Sequence, residues 1–377
     1  MQRIRPFQHV PSGAVHFGAG LSKTAGTIGA LKKAQKIGVI TDAGVRRAGL
    51  LERVLPSLEG RVAFIDDGAV PDADVAHIDA VAHKAKDAQI DAWLAVGGGS
   101  VIDTTKCAAA ALAKGKSIRE LEGMVKVKTA LLPVVCVPTT AGTGAEATQF
   151  AVVKDHQASR KLILMDASLV PALSILDPEL AVGLPKHTTA ATGVDALTHA
   201  MEAMASRMWN PVATALAVQS VLMLQTALPR SLEHPDDVDA RGVCLVAANL
   251  AGQAISSAML GACHAFAHAL GAKKGTAHGV ANGLFLVPVL KINAEHAPTP
   301  YAYLGGLMGN ASAAYAIDVI ERLVHEVAGI PTRLSDVGVV EADLDDLAKL
   351  TLADVDLGMN PVALDEAAVR RVLADRL

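Results

Sequence analysis

Five side chains in two short stretches carry most of the chemistry this sequence offers. The segment GACHAFAHALGAKKGTAHG, residues 261–279, holds His264, His268 and His278, and GVDALTHAME, residues 193–202, adds Asp195 and His199. His264 and His268 are four residues apart, as are Asp195 and His199, so on helices each pair projects from one face about one turn apart. Two such faces can close on one metal ion. A lone His on an apolar helix is more often a hydrogen-bonded core residue than a ligand, but five donors grouped this way, in a chain with 13 His among 377 residues, change that balance. The donors are imidazole and carboxylate without thiolate, which suits a hard-to-borderline divalent cation. Spacing alone does not separate His264 from His268 as the ligand.

A second set of residues points to an anion. In AWLAVGGGSVIDTTK, residues 92–106, the run Gly97, Gly98, Gly99 and Ser100 stands between an apolar strand and a helix beginning near Val101. Glycine lets the backbone approach a phosphate closely, and a helix N-terminus offers free N–H groups and a favourable dipole. A structural turn explains the glycines as well, because the G-x-G-x-x-G fingerprint is missing. In VPTTAGTGAE, Thr139, Thr140, Gly142, Thr143 and Gly144 follow the end of another strand, where ligands of open α/β sheets collect. Asp42, in ITDAG after the first predicted strand, is placed to accept adenosine ribose hydroxyls and to repel the extra phosphate of NADP. A turn cap is its plainer role.

The elements that position these residues fall into two textures. Short β-branched runs at Ile37–Ile40, Val62–Ile65, Trp93–Val96 and Val134–Val137 alternate with helical segments, one with Val75, Ile78, Val81 and Ala82 on a single face; that alternation implies a largely parallel sheet covered on both faces. Further short strands are expected in KLILMDASLVPALSILDPEL, residues 161–180. Beyond Pro185 the β-branched runs stop and helices rich in Ala, Leu and Met take over, one capped by Asn210 with Pro211 at its first position. Two domains are expected, 1–185 and 186–377. The chain is 51% hydrophobic and 3% aromatic, with mean hydropathy +0.35, so its cores are built mainly from Ala, Val, Leu and Ile.

A net charge of -4 argues against nucleic acid or an anionic membrane as the main partner and leaves a small molecule as the default. Cys107, Cys136, Cys244 and Cys263 form no C-x-x-C pair and read as buried thiols of a reducing cytoplasm. The opening MQRIRPFQHV has no apolar core, so no signal peptide is expected. The most membrane-like segment, Gly242 to Cys263, is interrupted by Asn249, Gln253, Ser256 and Ser257 and is expected to be a buried helix.

Taken together and in order, GGGSVIDTTK, PTTAGTGAEAT, GVDALTHAMEA, GACHAFAHALGAKKGTAHGVAN and the late NPV (residues 360–362) resemble the iron-containing, or group III, alcohol dehydrogenases over almost the whole chain. The resemblance implies an N-terminal Rossmann-like parallel-sheet nucleotide domain and a C-terminal all-helical metal-binding domain, the dehydroquinate synthase-like superfold. It implies Asp195, His199, His264 and His278 as metal ligands, with His268 near the nicotinamide instead. It places Gly98, Gly99 and Ser100 at the pyrophosphate, Thr139 and Thr140 at the adenosine side, and Asp42 as the NAD-selecting acid. Asp103 and Lys106 match its D-x-x-K, and Phe150 and Ile255 fall where relatives line the substrate pocket. Ala269 stands where relatives usually have proline.

The activity so implied is metal-dependent, NAD-dependent interconversion of a small primary alcohol and its aldehyde. A Lewis-acid metal lowers the alcohol's pKa and hydride passes from the carbinol carbon to the nicotinamide. The family mostly uses ferrous iron and sometimes zinc, and the ligand set fits either. Maleylacetate reductase or hydroxyacid-oxoacid transhydrogenase is the alternative within the superfold, favoured if a basic pocket accompanies the site. A lyase like dehydroquinate synthase would need many basic residues for a phosphorylated substrate. A non-catalytic binding protein would leave the metal ligands unexplained. Relatives assemble as dimers or larger homo-oligomers.

Overall fold

The alternation of apolar runs resolves into strands in the computed structural model, which describes residues 6–71, 73–158 and 160–377. The chain forms two compact units, one of Val10–Gly183 and one of Leu184–Leu377 together with residues 6–9. In the first unit the strands are β1 (Ala14–Phe17), β2 (Ile37–Ile40), β3 (Val62–Asp66), β4 (Ala92–Gly97), β5 (Gly123–Met124), β6 (Val134–Pro138), β7 (Phe150–Asp155), β8 (Arg160–Met165) and β9 (Leu173–Leu176). Six of them make one parallel sheet in the order β1-β9-β6-β4-β2-β3. Short helices α1 (Ala43–Arg47) and α2 (Leu51–Val54) and long ones α3 (Val75–Ala88) and α4 (Gly99–Lys114) connect them.

Both faces of this sheet are covered, which is why its central strands read as unbroken apolar runs. Along β4, Trp93 and Ala95 enter the core formed with α3 and α4, while Ala92, Leu94 and Val96 enter the opposite core with Leu51, Val54 and Leu58. The buried face of α3 is Val75, Ile78, Val81, Ala82 and Ala85. Two features lie outside the sequence expectation. The edge strand β1 is exposed throughout, so no apolar pattern marks it. β7 and β8 form an antiparallel pair that joins β5 in a separate three-stranded sheet; β7 alternates part-buried and buried residues, as a strand with one covered face does.

The second unit is helical: α5 (Lys186–Ala205), α6 (Pro211–Glu233), α7 (Val238–Ala258), α8 (Ala262–Lys274), α9 (His278–His296), α10 (Thr299–Leu307), α11 (Ala313–Glu321), α12 (Leu344–Ala353) and α13 (Glu366–Asp375). Asn210 Oδ1 accepts the Ala213 N–H at the start of α6, with Pro211 in the first turn. The apolar stretch from Gly242 to Cys263 is not one helix. It breaks after Ala258, where Met259 takes φ 67, and α7 and α8 meet at a bend of 104°. That turn starts the His264 helix in a new direction. Among the described residues one helix, α6, is long and apolar enough to cross a membrane by length and composition; its buried residues, Val221, Leu224 and Leu228 among them, belong to a helix that packs on α5 and α7.

Two close approaches set the frame of the site. A Cβ on Gly279 would lie 1.9 Å from the Ala191 carbonyl oxygen, so glycine there lets the first turn of α9 press against α5. In the first unit the wholly buried Lys106 of α4 donates from Nζ to the carbonyls of Ala145 (3.0 Å) and Phe150 and to Thr148 Oγ1 (3.0 Å). It thereby ties the segment after β6 onto α4. Replacing Lys106 with Met keeps the stem's volume, removes the hydrogen bonds that Nζ gives and takes the cation from Asp103, 3.7 Å away, so Lys106→Met should lower unfolding free energy by about 2–4 kcal/mol. Urea denaturation followed by circular dichroism measures it, and a midpoint equal to wild type would show that the ammonium is not a structural anchor.

Candidate metal centre and cofactor site

Helical spacing places the first donors. Asp195 and His199 lie one turn apart on α5, His264 is on the first turn of α8, and His278 opens α9. Their ligand atoms all lie within 4.8 Å of one another. Asp195 Oδ1 is 3.8 Å from His199 Nε2, 3.9 Å from His264 Nε2 and 3.5 Å from His278 Nε2. A tetrahedral centre with bonds of about 2.1 Å has ligand separations of about 3.4 Å, so small side-chain adjustments suffice to close the set on one ion. Asp195, His199 and His264 are buried, and His278 is part-exposed.

The hydrogen bonds support the fit. Asn282 Nδ2 donates to Asp195 Oδ1 at 2.7 Å and lies 3.1 Å from His264 Nε2 and 3.3 Å from His278 Nε2. An amide carries only two protons, so it cannot satisfy three acceptors that converge on it. The same atoms are the ones a cation would bind. Burial works to raise the Asp195 carboxyl, yet His199, His278, His264 and the Asn282 amide outweigh it and hold it below the usual carboxylate range. Burial, and then neighbouring His199, push the His264 imidazole well below its ordinary value, leaving it in the neutral form that a ligand needs.

His268 stands apart from this group. Its Nδ1 is 2.9 Å from Asp354 Oδ2 and 3.8 Å from Asp356 Oδ2, and its ring stacks on His278 with centroids 5.5 Å apart. The stretch around Val355, far along the chain, thus supplies the partners of a motif histidine. Burial pushes the Asp356 carboxyl up to about 7 against the pull of His268. The part-buried His268 presents its other nitrogen on the side of the ring away from Asp354.

Sequence reasoning did not single out Glu202, Asn282, Asp354, Asp356 or Asn360. Two of these share helical faces with residues it did: Glu202 is seven residues after Asp195, and Asn282 four after His278, so face periodicity could have found them. Asn360, from the late NPV, accepts the Ala262 N–H at 3.4 Å and pairs reciprocally with Asn293 at 3.0 and 2.7 Å. It braces the start of α8 against α9.

In the first unit, Asp42, Gly98–Ser100 and Thr139–Thr140 stand at the C-terminal ends of β2, β4 and β6, which are adjacent in the sheet. Gly98 caps α4 with no side-chain hydrogen bond; the Val101 and Ile102 N–H groups donate to the Gly98 carbonyl, and those of Gly99 and Ser100 open the helix where an anion is favoured. The two loops are fitted to each other: the Thr139 N–H donates to the Gly97 carbonyl at 3.1 Å, and a Cβ on Gly99 would lie 2.6 Å from Thr143 Cγ2. Asp42 caps α1, Oδ1 accepting from the N–H groups of Gly44 (2.7 Å) and Val45 (2.9 Å). Capping uses that one oxygen, so Oδ2 remains for another donor. Asp103 is engaged in the fold, its Oδ2 accepting the Val152 N–H at 3.1 Å and its Oδ1 3.7 Å from Lys106 Nζ. Phe150 opens β7, its carbonyl on Lys106, and Ile255 is buried near the end of α7.

One unit carries a parallel sheet with a glycine-rich strand-to-helix turn, and the other gathers three imidazoles and a carboxylate on its helices. The sequence profile described as "Iron-containing alcohol dehydrogenase" matches residues 12–178, and that described as "Fe-containing alcohol dehydrogenase family, C-terminal" matches residues 189–377. An NAD-dependent methanol dehydrogenase of Bacillus methanolicus is 32% identical, with 98% of this chain and 99% of the relative covered. Alcohol dehydrogenase 4 of Schizosaccharomyces pombe is 36% identical over 86% of this chain and 78% of its own length. A solved structure of 1,3-propanediol oxidoreductase superposes with TM-score 0.94 at 32% identity, covering 99% of this chain and 100% of that one. The chain belongs to the iron-containing alcohol dehydrogenase family and is an oxidoreductase.

If the Asp195 cluster binds one ion, His264→Ala should weaken metal binding by roughly two orders of magnitude or more, since removing only an outer hydrogen-bond partner of a ligand costs about 10–100-fold. Elemental analysis after dialysis reads this directly. His268→Asn should keep stoichiometric metal and lower kcat. The reverse pattern would make His268 the ligand.

Proposed function

We propose that this protein is an NAD-dependent, metal-dependent dehydrogenase that interconverts a small primary alcohol and its aldehyde. The observation that carries the reading is the convergence of Asp195 Oδ1 with the Nε2 atoms of His199, His264 and His278. Relatives named as methanol, propanediol and other alcohol dehydrogenases support small alcohols as substrates. Asp195, His199, His264 and His278 would hold one divalent cation, ferrous iron first and zinc as the alternative, because nothing in an N and O donor set excludes either. When bound, that ion supplies Lewis acidity at the substrate oxygen.

The chain's own residues do the rest. His268, with Nδ1 2.9 Å from Asp354 Oδ2, would relay the hydroxyl proton or order the nicotinamide without binding the ion. Gly98, Gly99 and Ser100 bind the pyrophosphate through backbone N–H groups, Thr139 and Thr140 contact the adenosine side, and Asp42 Oδ2 accepts from the ribose. Phe150 and Ile255 are the substrate-pocket positions that the family resemblance implies. Asp103 serves the cofactor by holding the β7 hairpin on α4. The exposed edge strand β1, with Val15 and Phe17 on its surface, supports assembly as a homodimer or larger homo-oligomer. Four free, buried cysteines support a reducing, cytoplasmic setting. A carboxylate-bearing substrate has less support, because Lys273 and Lys274, the cations nearest the motif in sequence, are paired with Asp346 and Asp343 at 2.6 Å each.

The test uses anaerobically purified protein loaded with ferrous iron and screened with NAD against primary alcohols from methanol to butanol. NADH should form with at least one of them and cease on chelation; absence of turnover across the panel with metal bound would overturn the reading. The cofactor preference has its own check. Asp42→Asn keeps an oxygen for the α1 cap and removes the charge that opposes a 2′-phosphate. The ratio of kcat/KM for NAD over NADP should drop by about tenfold or more, the worth of roughly 1–3 kcal/mol for a hydrogen bond to a charged group. An unchanged ratio would leave Asp42 as a cap alone.

A further inference from the structure

Glu202 is buried on α5 and packs against the start of α8, where it meets backbone donors and the imidazole of His264. Its Oε1 accepts the backbone N–H of Cys263 at 2.7 Å and that of His264 at 3.3 Å. Its Oε2 lies 2.5 Å from His264 Nδ1, with both side chains almost wholly excluded from solvent. On the far side of the same imidazole, His264 Nε2 faces the Asn282 amide nitrogen at 3.1 Å. A carboxylate oxygen demands a proton on the nitrogen it meets, and an amide NH2 demands a lone pair. The two neighbours therefore agree on one tautomer, with hydrogen on Nδ1 and the lone pair on Nε2. Among the described residues His199 has no such partner, its Nδ1 being buried without a hydrogen bond.

We infer that Glu202 is a positioning residue of the metal centre: it locks His264 as the Nδ1–H tautomer and aims the Nε2 lone pair at the ion. The inference rests on the proposed metal site formed by Asp195, His199, His264 and His278. Carboxylates behind ligating imidazoles fix ring orientation and raise ligand basicity in metal sites generally. What this chain adds is a second duty for the same side chain. Glu202 also accepts the N–H groups that begin α8, so the carboxylate that starts the helix also orients the ligand on it. Only a group with two accepting oxygens performs both duties.

Glutamine separates them. If the amide oxygen of Glu202→Gln keeps the Cys263 and His264 N–H groups, its NH2 faces Nδ1, which must then present a lone pair, and the proton moves to Nε2, where it opposes a cation. If the amide flips, its NH2 meets the backbone donors instead. A residue needed only to cap α8 tolerates the first orientation without loss.

The experiment measures Zn2+ affinity of the full-length protein by competition with a chromophoric chelator, beside the urea midpoint of the metal-free protein. Glu202→Gln should raise the Kd for Zn2+ by about 10–100-fold with the metal-free midpoint little changed, and Glu202→Asp should recover part of the affinity. Equal affinity in wild type and the Gln variant, within about threefold, overturns the role of Glu202 and leaves the metal centre standing. A wild-type protein that takes up no Zn2+ and no Fe2+ removes the metal centre itself, and this role with it. Should the Gln variant not fold, 15N-histidine spectra of the metal-free wild type decide, with the resonance assigned by its loss in His264→Gln. A protonated Nδ1 with an unprotonated Nε2 upholds the inference, and the opposite tautomer overturns it.

Discussion

Three imidazoles and a carboxylate crowded within 4.8 Å, most of them out of water, form an arrangement whose lone pairs oppose one another unless something positive sits among them. Burial already drives His264 toward neutrality, so protonating that imidazole is a poor way to relieve the crowding. Asn282 relieves part of it and lacks the protons to relieve the rest. A divalent cation answers the whole demand, and much of the helical unit can be understood as holding these donors against their mutual repulsion. The 104° turn between α7 and α8 brings in His264, Gly279 allows α9 to close on α5 and deliver His278, and Asn360 braces the start of α8.

The parallel-sheet unit meets a different constraint. A phosphate needs several donors and no intruding side chains, and the C-terminal ends of β4 and β6, the central strands of the sheet, suit both needs. Gly98 leaves the first turn of α4 uncapped, and neighbouring β6 ends in threonines whose loop lies directly against the glycines. Lys106 and Asp103 hold that loop from beneath, through Ala145, Thr148, Phe150 and Val152. Asp103 and Lys106, which follow the glycines, thus pack the neighbouring loop onto α4. Asp42 shows the same economy, one oxygen capping α1 while the other faces away from that duty.

Much of this was legible because period and chemistry agreed. β2, β4 and β6 are apolar on both faces and announce themselves as buried strands; the α3 face and the Asn210–Pro211 start of α6 follow helical rules. The proposed ligand positions on α5 and α8 were visible as i,i+4 pairs, and the choice of His264 over His268 came from the family resemblance, not from spacing. Other features left no local trace. The strand β1 is four exposed residues, AVHF, without alternation. Nothing in SSAMLG marks Met259 for a positive φ, so the long apolar stretch read as one helix. Asp354 reaches His268 across 86 residues of chain, a contact that only tertiary packing creates. Glu202 and Asn282 were within reach of the helical period but carry no signal separating a ligand's partner from an ordinary buried polar residue.

The central claim is that one ion occupies the space between α5, α8 and the start of α9. Anomalous diffraction from crystals of anaerobically purified, iron-loaded protein, collected on either side of the iron edge, tests it most directly. The account predicts a single strong peak within bonding distance of Asp195 Oδ1 and the Nε2 atoms of His199, His264 and His278. A peak instead at His268, Asp354 and Asp356, or fully loaded crystals with no peak among the four ligands, would contradict it.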